Sequence, residues 1–586
     1  MPKHPPPVKR GIAGAALQNA CPIRRKLSLL AGFFVFPCAF YLACFFILTF
    51  PLVTTFSTHY FFNLYDDGPQ NAWNIWWLNK AITELHQLPF YTTYLNYPGG
   101  VSLLGHTLTP LNGLFGIVLL RFFELQQTFN LLFIFTFVAS GLSAFALAFY
   151  VTRAYWPSIV GGYLFAFCSY RFSHAVNGHL NLLSTEWIPL FALFWMMLLE
   201  RPRIPAAVAA ALMLFLSLLS DYYCFINCLL FGALSGLWWT AREKKPLGLL
   251  RPPLRTPLLA FLATALVSSG PILFALLKED MADPFRRARL AGQQLDLMDL
   301  FVYGETFRFG EWAQALRRQI HPAAYNIGLS VYVGWSVVVL VALLLLLRKQ
   351  ARPQERQPWL LGLVAFALIS LGRSLWVWGK EFPELLMPYR LLEVVLPPLR
   401  ISGRANRQMI LVFLMAAVLC AASLSMLWRR GVAGRLAGGF LIALLVVEYL
   451  PAPLAASRIE VPAYVIALKD APRGGVLDMA ASSSMAFVYQ TIHQQPMAFG
   501  FVARFSRSAT RERVRMKARI RARKFGVLSN QYRIRYLVTP KQRFVTPYPR
   551  GGIPHLLYGQ VEESDQLKLI LADQTAYLYQ LGNPTL

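Results

Sequence analysis

Apolar runs close to twenty residues long recur a dozen times along this chain, and nothing else in it restricts the fold so much. As an α-helix, a run of that length rises about 30 Å, which matches the hydrocarbon core of a bilayer. Lipid offers no partner to a bare backbone amide, so such runs must close their own hydrogen bonds as helices. The first runs from Leu29 to Val53, and others begin near residues 108, 127, 157, 184, 204, 222, 256, 326, 358, 405 and 435. Only 14% of the 586 residues are charged, against about 25% in soluble domains. A multi-pass membrane protein is implied. The net charge of +28 then speaks to topology and membrane lipids, and nucleic acid is not an expected partner.

Orientation follows from Lys and Arg. Segments 1–28, 151–156, 200–205, 241–256, 348–357 and 429–435 hold 21 basic residues and three acids, which marks them as cytoplasmic. Arg24-Arg25-Lys26 precede the first run, which is too long for a signal peptide and lacks a small-residue cleavage site, so it reads as an uncleaved span. The run at 108–122 is short and ends at Arg121, and is read as re-entrant or partly embedded. About eleven spans then remain, placing the C-terminus outside. The expected organisation is a cytoplasmic basic tail (1–28), a transmembrane domain (29–451) with a long outer loop (54–107), and an extracytoplasmic α/β domain (452–586). In that last part, Gly475–Met479, Arg535–Val538 and Leu567–Leu581 read as strands with helices between. Its Arg511, Arg513, Arg515, Lys517, Arg519, Arg521 and Arg523 alternate like a strand with one cationic face, while the Ala, Met, Arg and Lys content favours a helix. The run is either a solvated face or a patch held against anionic headgroups or a lipid pyrophosphate.

Motifs of soluble enzymes are missing: there is no Walker loop, dinucleotide glycine fingerprint, paired CxxC or HExxH. The seven cysteines lie in the N-terminal tail or in apolar runs, so no disulfide framework is expected. Chemistry is left to the outer loops. Asp66-Asp67 follow the first span, and Asp67 suits an N-cap, with Pro69 in the first turn and Gln70 closing a capping box. Trp73, Trp76, Trp77, Ala81 and Leu85 then recur at helical spacing, as in a helix lying in the headgroup layer. Asp67 is therefore either a cap or a reactive carboxylate at the membrane's lip. His174 and His179 sit in the next outer loop, and Arg400, Arg404 and Arg407 at the entry of the eleventh span.

The first motif reads Asp67-Gly68-Pro69-Gln70-Asn71-Ala72-Trp73-Asn74-Ile75-Trp76-Trp77, followed by Tyr97-Pro98-Gly99-Gly100, His106, Ser169 to His174, Gly178 to Leu182, and Leu399 to Arg404. With the span count and the outer domain, it resembles the GT-C superfamily of integral-membrane glycosyltransferases, specifically a branch of mostly uncharacterised bacterial proteins. The resemblance implies transfer of a hexosyl or pentosyl group from a polyprenyl-phosphate donor to a hydroxyl of a glycan, lipid or protein acceptor, at the outer face of a bacterial plasma (inner) membrane. It makes Asp67 the general base and Asp66 its electrostatic partner. Gln70, His106, His174, His179, Arg400, Arg404 and Arg407 become candidate contacts to substrate and lipid phosphate. A divalent cation (Mg or Mn) on Asp67, His174 and His179 is the one cofactor considered. Many GT-C enzymes carry a second acid in the next outer loop, but residues 171–183 have none and Glu186 is the nearest. A lipid or polysaccharide flippase and a non-catalytic assembly protein are the alternatives.

Overall fold

The computed structural model describes residues 30–242, 252–285, 295–304, 306–320, 331–347, 357–396, 399, 403–542 and 556–582. Among them, seven helices are long and apolar enough to cross a bilayer: Ala31–Thr49, Leu125–Thr152, Leu180–Glu200, Tyr222–Arg242, Arg255–Ala282, Ala405–Trp428 and Gly431–Glu448. Four shorter apolar helices accompany them: Pro110–Leu119, Ile204–Ser220, Trp335–Leu346 and Gln357–Ser370. The chain is a mainly helical, multi-pass membrane protein.

The axis of the bundle is α1 (Met409–Trp428), whose residues from Met409 to Leu427 are all buried. Its Ala, Leu and Val run is apolar on every side, and neighbours approach it through missing side chains. A Cβ on Gly161 would sit 2.9 Å from the Ala417 carbonyl, and one on Gly362 would sit 2.7 Å from Met415 Sδ. The Arg255–Ala282 helix is the opposite case. Leu262, Leu266, Val267 and Phe274 along it are exposed, as a helix facing hydrocarbon requires.

Pro110–Leu119 rises about 15 Å, half a bilayer core. The next helix starts close to where the outer loop begins, because Gln126 and Asn130 donate to the Phe56 and His59 carbonyls at 2.5–3.0 Å.

The connections meet at that end. Tyr60 and Ser457 exchange backbone hydrogen bonds of 3.0 and 2.9 Å. The Asp283 carboxylate accepts from Ser508 N–H, and Asp296 accepts from the Trp378 and Gly379 amides at 3.1 and 2.7 Å. The segment after residue 452 contributes a four-stranded sheet from β1 (Gly475–Asp478), β2 (Ile534–Pro540), β3 (Leu567–Ala572) and β4 (Ala576–Leu581). The strand order is β1-β2-β4-β3, with β1 and β2 parallel and the other pairs antiparallel.

One expectation is corrected. The Trp-rich helix, Gly68–Asn79, does not lie in the headgroup layer: every residue from Gly68 to Leu78 is buried in protein. The Ser483–His493 helix covers its indoles; Trp73 Nε1 donates to Gln490 Oε1 at 2.7 Å and the Trp73 ring meets Phe487. Its polar face is also enclosed, because Asn71 and Asn74 donate to backbone carbonyls. The basic run resolves as a helix, Arg507–Arg521, capped by Ser506. Met516 and Ile520 bury its inner stripe, Arg513 lies over Phe499 and Phe505, and Arg511, Arg515 and Arg519 face outward at four-residue spacing.

Gln490 also donates to the Tyr94 and Gln495 carbonyls at 2.6 and 3.0 Å. Gln490→Ala strands three buried groups and is expected to cost about 2–3 kcal/mol. Limited proteolysis of the detergent-solubilised protein should then cut faster between residues 452 and 582, whereas an unchanged rate would show that this joint does not hold the two parts.

Candidate functional site

Two glycines let two loops touch. Gly178 has φ +64, and a Cβ there would lie 2.6 Å from Gly68 Cα and 2.5 Å from Phe62 Cβ. Asn71 ties the contact, its amide donating to the Asp67 carbonyl at 3.0 Å and the Gly178 carbonyl at 3.2 Å. His179 is thereby set against the acidic pair, with Nε2 3.2 Å from Asp67 Oδ2 and 3.5 Å from Asp66 Oδ1.

The expected capping box does not form. Asp67 precedes the helix, but its carboxylate makes no cap bond; only its carbonyl joins the ladder, accepting from Asn71 N–H at 3.1 Å. Gln70 turns away and donates to Thr107 Oγ1 at 2.6 Å. A local preference is overridden by a tertiary one, because His179 offers the carboxylate a stronger, charge-assisted partner than a backbone amide would. Both carboxylates keep an open side, Asp66 at 25% and Asp67 at 39% exposure.

Behind His179 lies a second layer. His179 Nδ1 is 2.8 Å from His174 Nδ1, and His174 Nε2 is 2.6 Å from Arg407 Nη1. Arg407 Nη1 also lies 3.2 Å from His174 Nδ1, so the guanidinium sits over the ring and fixes no single tautomer. The two imidazoles meet Nδ1 to Nδ1, and His179 turns its Nε2 to the carboxylates. Burial pulls the His179 pKa down, but hydrogen bonds with Asp66 and Asp67 overcome this and leave it raised. His174 is lowered well below the usual histidine value by burial, with Arg407 and His179 adding repulsion. The carboxylates favour a charged His179, while Arg407 favours a neutral His174.

The remaining sequence candidates divide. His106 is buried beside this charge; its Nδ1 accepts from Ala503 N–H at 3.1 Å, and burial drives its pKa down to about 4 against the raising effect of Asp67. Arg407, expected at an exposed rim, is 4% exposed and lies over Tyr223. Its position just before an apolar run reads as an anchor, yet the following helix is the buried axis, so Arg407 points into protein. Arg404 is partly exposed and close enough to His174 to depress it. Arg400 lies outside the described residues. Glu186 is buried apart from the acidic pair, with Arg171 as its nearest charge.

Three metal-ligating side chains cluster among the described residues: Asp66, Asp67 and His179, with ligand atoms within 4.8 Å of one another. Neighbouring ligands around a magnesium-sized ion at about 2.1 Å sit roughly 3 Å apart, so separations of 3.2 and 3.5 Å fit. The set differs from the expected one: Asp66 takes the place of His174, whose nitrogens are occupied by Arg407 and His179.

Sequence reasoning missed Asp221. It lies between two helices, where a carboxylate at a span end looks solvated, but it is buried and accepts from Asn181 Nδ2 and Tyr223 N–H, both at 2.7 Å. Asn181 thus braces the loop that carries His179.

A family model described as a domain of unknown function, DUF6311, matches residues 39–450. No curated protein matches the sequence. Among solved structures, the arabinofuranosyltransferase AftD from Mycobacteria superposes with a TM-score of 0.53 at 14% identity, over 94% of this chain and 41% of that one. This chain therefore spans about two fifths of the AftD length, and the likeness shows that the two share a fold. The oligosaccharyltransferase AglB from Archaeoglobus fulgidus, in complex with an inhibitory peptide and a dolichol-phosphate, gives a TM-score of 0.45 at 11% identity, over 86% of this chain and 69% of that one. ArnT from Cupriavidus metallidurans, bound to undecaprenyl phosphate, gives 0.39 at 11%, over 94% and 98%.

Gly178→Ala adds strain at positive φ and a backbone clash. It is expected to lower stability by about 2 kcal/mol or more and to part His179 from Asp67, which a melting curve in detergent would register; an unchanged melting temperature would show that the loops do not depend on the contact. Acid is a second probe. Folded His106 takes a proton only near pH 4, while the unfolded ring does so near 6.5, so the unfolded chain binds more protons between those values. Stability should fall as pH drops through that window, and His106→Gln, an uncharged replacement, should make the fall shallower. A variant with the same slope would contradict the assignment.

Proposed function

This chain belongs to the DUF6311 family, and from that premise and the site's geometry we propose that it is a membrane glycosyltransferase. Its donor is a sugar linked to polyprenyl phosphate, its acceptor a hydroxyl, and its working end the outer side of the membrane. The observation that carries the reading is a half-open pair of carboxylates, one unused as a helix cap, backed by a buried histidine whose Nε2 faces them.

In the step itself, Asp67 takes the acceptor O–H proton as that oxygen bonds the anomeric carbon. The anomeric C–O bond to phosphate breaks, and the lipid phosphate leaves with the electron pair. A phosphate leaves without general-acid help, so the protein needs a placed base and cations for the charge that develops. Asp66 lies beside the base and keeps the site negative, which favours uptake of the proton. Arg404 is the partly exposed cation placed to receive the phosphate. His174 and Arg407 are positioning residues: they orient the imidazole that holds Asp67. His106 and Gln70 fix the Thr107 loop. A divalent cation, Mg or Mn, would be held by Asp66, Asp67 and His179, and would supply charge neutralisation for the departing phosphate.

Asp67→Asn keeps the size and the contact to His179 but cannot take a proton. Purified in nanodiscs, it should melt like the parent and transfer sugar at least 1,000-fold more slowly, roughly 4 kcal/mol of barrier, from an undecaprenyl-phosphate sugar to an acceptor glycan. A folded variant transferring at the parental rate would overturn the assignment.

A further inference from the structure

A cleft of about 910 Å³ opens at the working end, near the acidic pair but distinct from it. Its floor is the short hairpin of Tyr91–Thr92 and Val101–Ser102. One wall is the end of the Arg255–Ala282 helix with Glu279 and Asp283, and the other is the start of the Arg507–Arg521 helix with Arg511, Glu512 and Arg515. The volume is near the top of the range of about 300–1,000 Å³ usual for ligand sites.

The lining is organised. Glu279 Oε2 accepts from Ser102 Oγ at 2.7 Å, and Asp283 accepts from the Ser508 amide. Both carboxylates are therefore held in place; Glu279 retains lone pairs for a ligand, while Ser506 and Ser508 occupy those of Asp283. Across the cleft, Arg515 is 72% exposed and only 3.5 Å from Glu512, and the Tyr91 ring is half exposed. The cleft also adjoins the site. Leu104 lines it while His106, on the same loop, stands beside Asp67. Phe90 lines both the cleft and the small cavity next to His106 and Asp221.

We propose that this cleft binds an uncharged oligosaccharide, the acceptor glycan whose terminal hydroxyl reaches Asp67. Sugar hydroxyls both donate and accept, and they match a lining where carboxylates face guanidiniums. A flat, exposed Tyr ring offers the stacking face that pyranose and furanose rings use. Three carboxylates against two arginines oppose a phosphate-bearing ligand, and a lipid tail would leave all five charges stranded. That the glycan is an acceptor rests on the transferase reading; that the cleft holds a glycan does not.

The test is titration of the full chain in nanodiscs with maltohexaose, mannotetraose and arabinohexaose, followed by thermophoresis, with sugar transfer measured separately. At least one should bind saturably, and Tyr91→Ala and Glu279→Gln should each weaken it 10-fold or more. Arg515→Ala, a change at an exposed side chain that leaves the fold intact, should weaken it at least 3-fold at an unchanged melting temperature. Failure of all three sugars to bind, or parental affinity in Arg515→Ala and Glu279→Gln, would overturn the proposal. Binding by a protein that transfers no sugar would uphold the cleft and sink the reaction reading instead.

Discussion

Arg407 carries donors and no acceptor, and its buried contact with His174 orders the site as far as the acidic pair. His174 meets His179 Nδ1 to Nδ1, and His179 turns its Nε2 to the carboxylates of Asp66 and Asp67. A Gln at 174 has no ring to span the gap, and a Lys at 407 offers a point charge where the guanidinium offers a fixed fork. The buried axis of the bundle matters for the same reason. Because Met409–Trp428 is enclosed on all sides, the residues leading into it, Ala405 to Gln408, are buried too, and Arg407 is carried inside to where it meets His174.

The bundle and its cap divide the work. Helices such as Arg255–Ala282 give their apolar surface to lipid, while the polar segments between helices pack on one another at one end. The segment after residue 452 closes over the Trp-rich helix through Gln490 and Phe487, and that helix in turn presents Asp67. Backbone packing of Gly178 on Gly68 completes the arrangement, since a side chain at Gly178 would push the two loops apart. The site is thus built from elements far apart in the chain, and each is held by a neighbour that touches no substrate.

Much of this was legible in the sequence, and the failures share a cause. The apolar runs gave the helices, and Asp66, Asp67 and His179 were named as site residues that the fold brings together. Three local rules misled: N-cap preference assigned the Asp67 side chain to the helix start, indole periodicity placed Trp73, Trp76 and Trp77 in headgroups, and a charge before an apolar run placed Arg407 at a rim. Each rule weighs residues against solvent or lipid, while the actual partners come from elsewhere in the chain. Arg407 and His174 are 233 residues apart, and no spacing rule links them. Asp221 was overlooked on the same ground, since only the fold shows Asn181 covering it.

The most direct measurement is a cryo-EM map of the full chain in nanodiscs containing undecaprenyl phosphate. The expected density places the phosphate within hydrogen-bonding reach of Arg404 and next to the open side of Asp66 and Asp67, at the end of the bundle covered by the β1–β4 sheet. A phosphate bound at the opposite end, or a protein chain that walls off both carboxylates from the lipid, would contradict it.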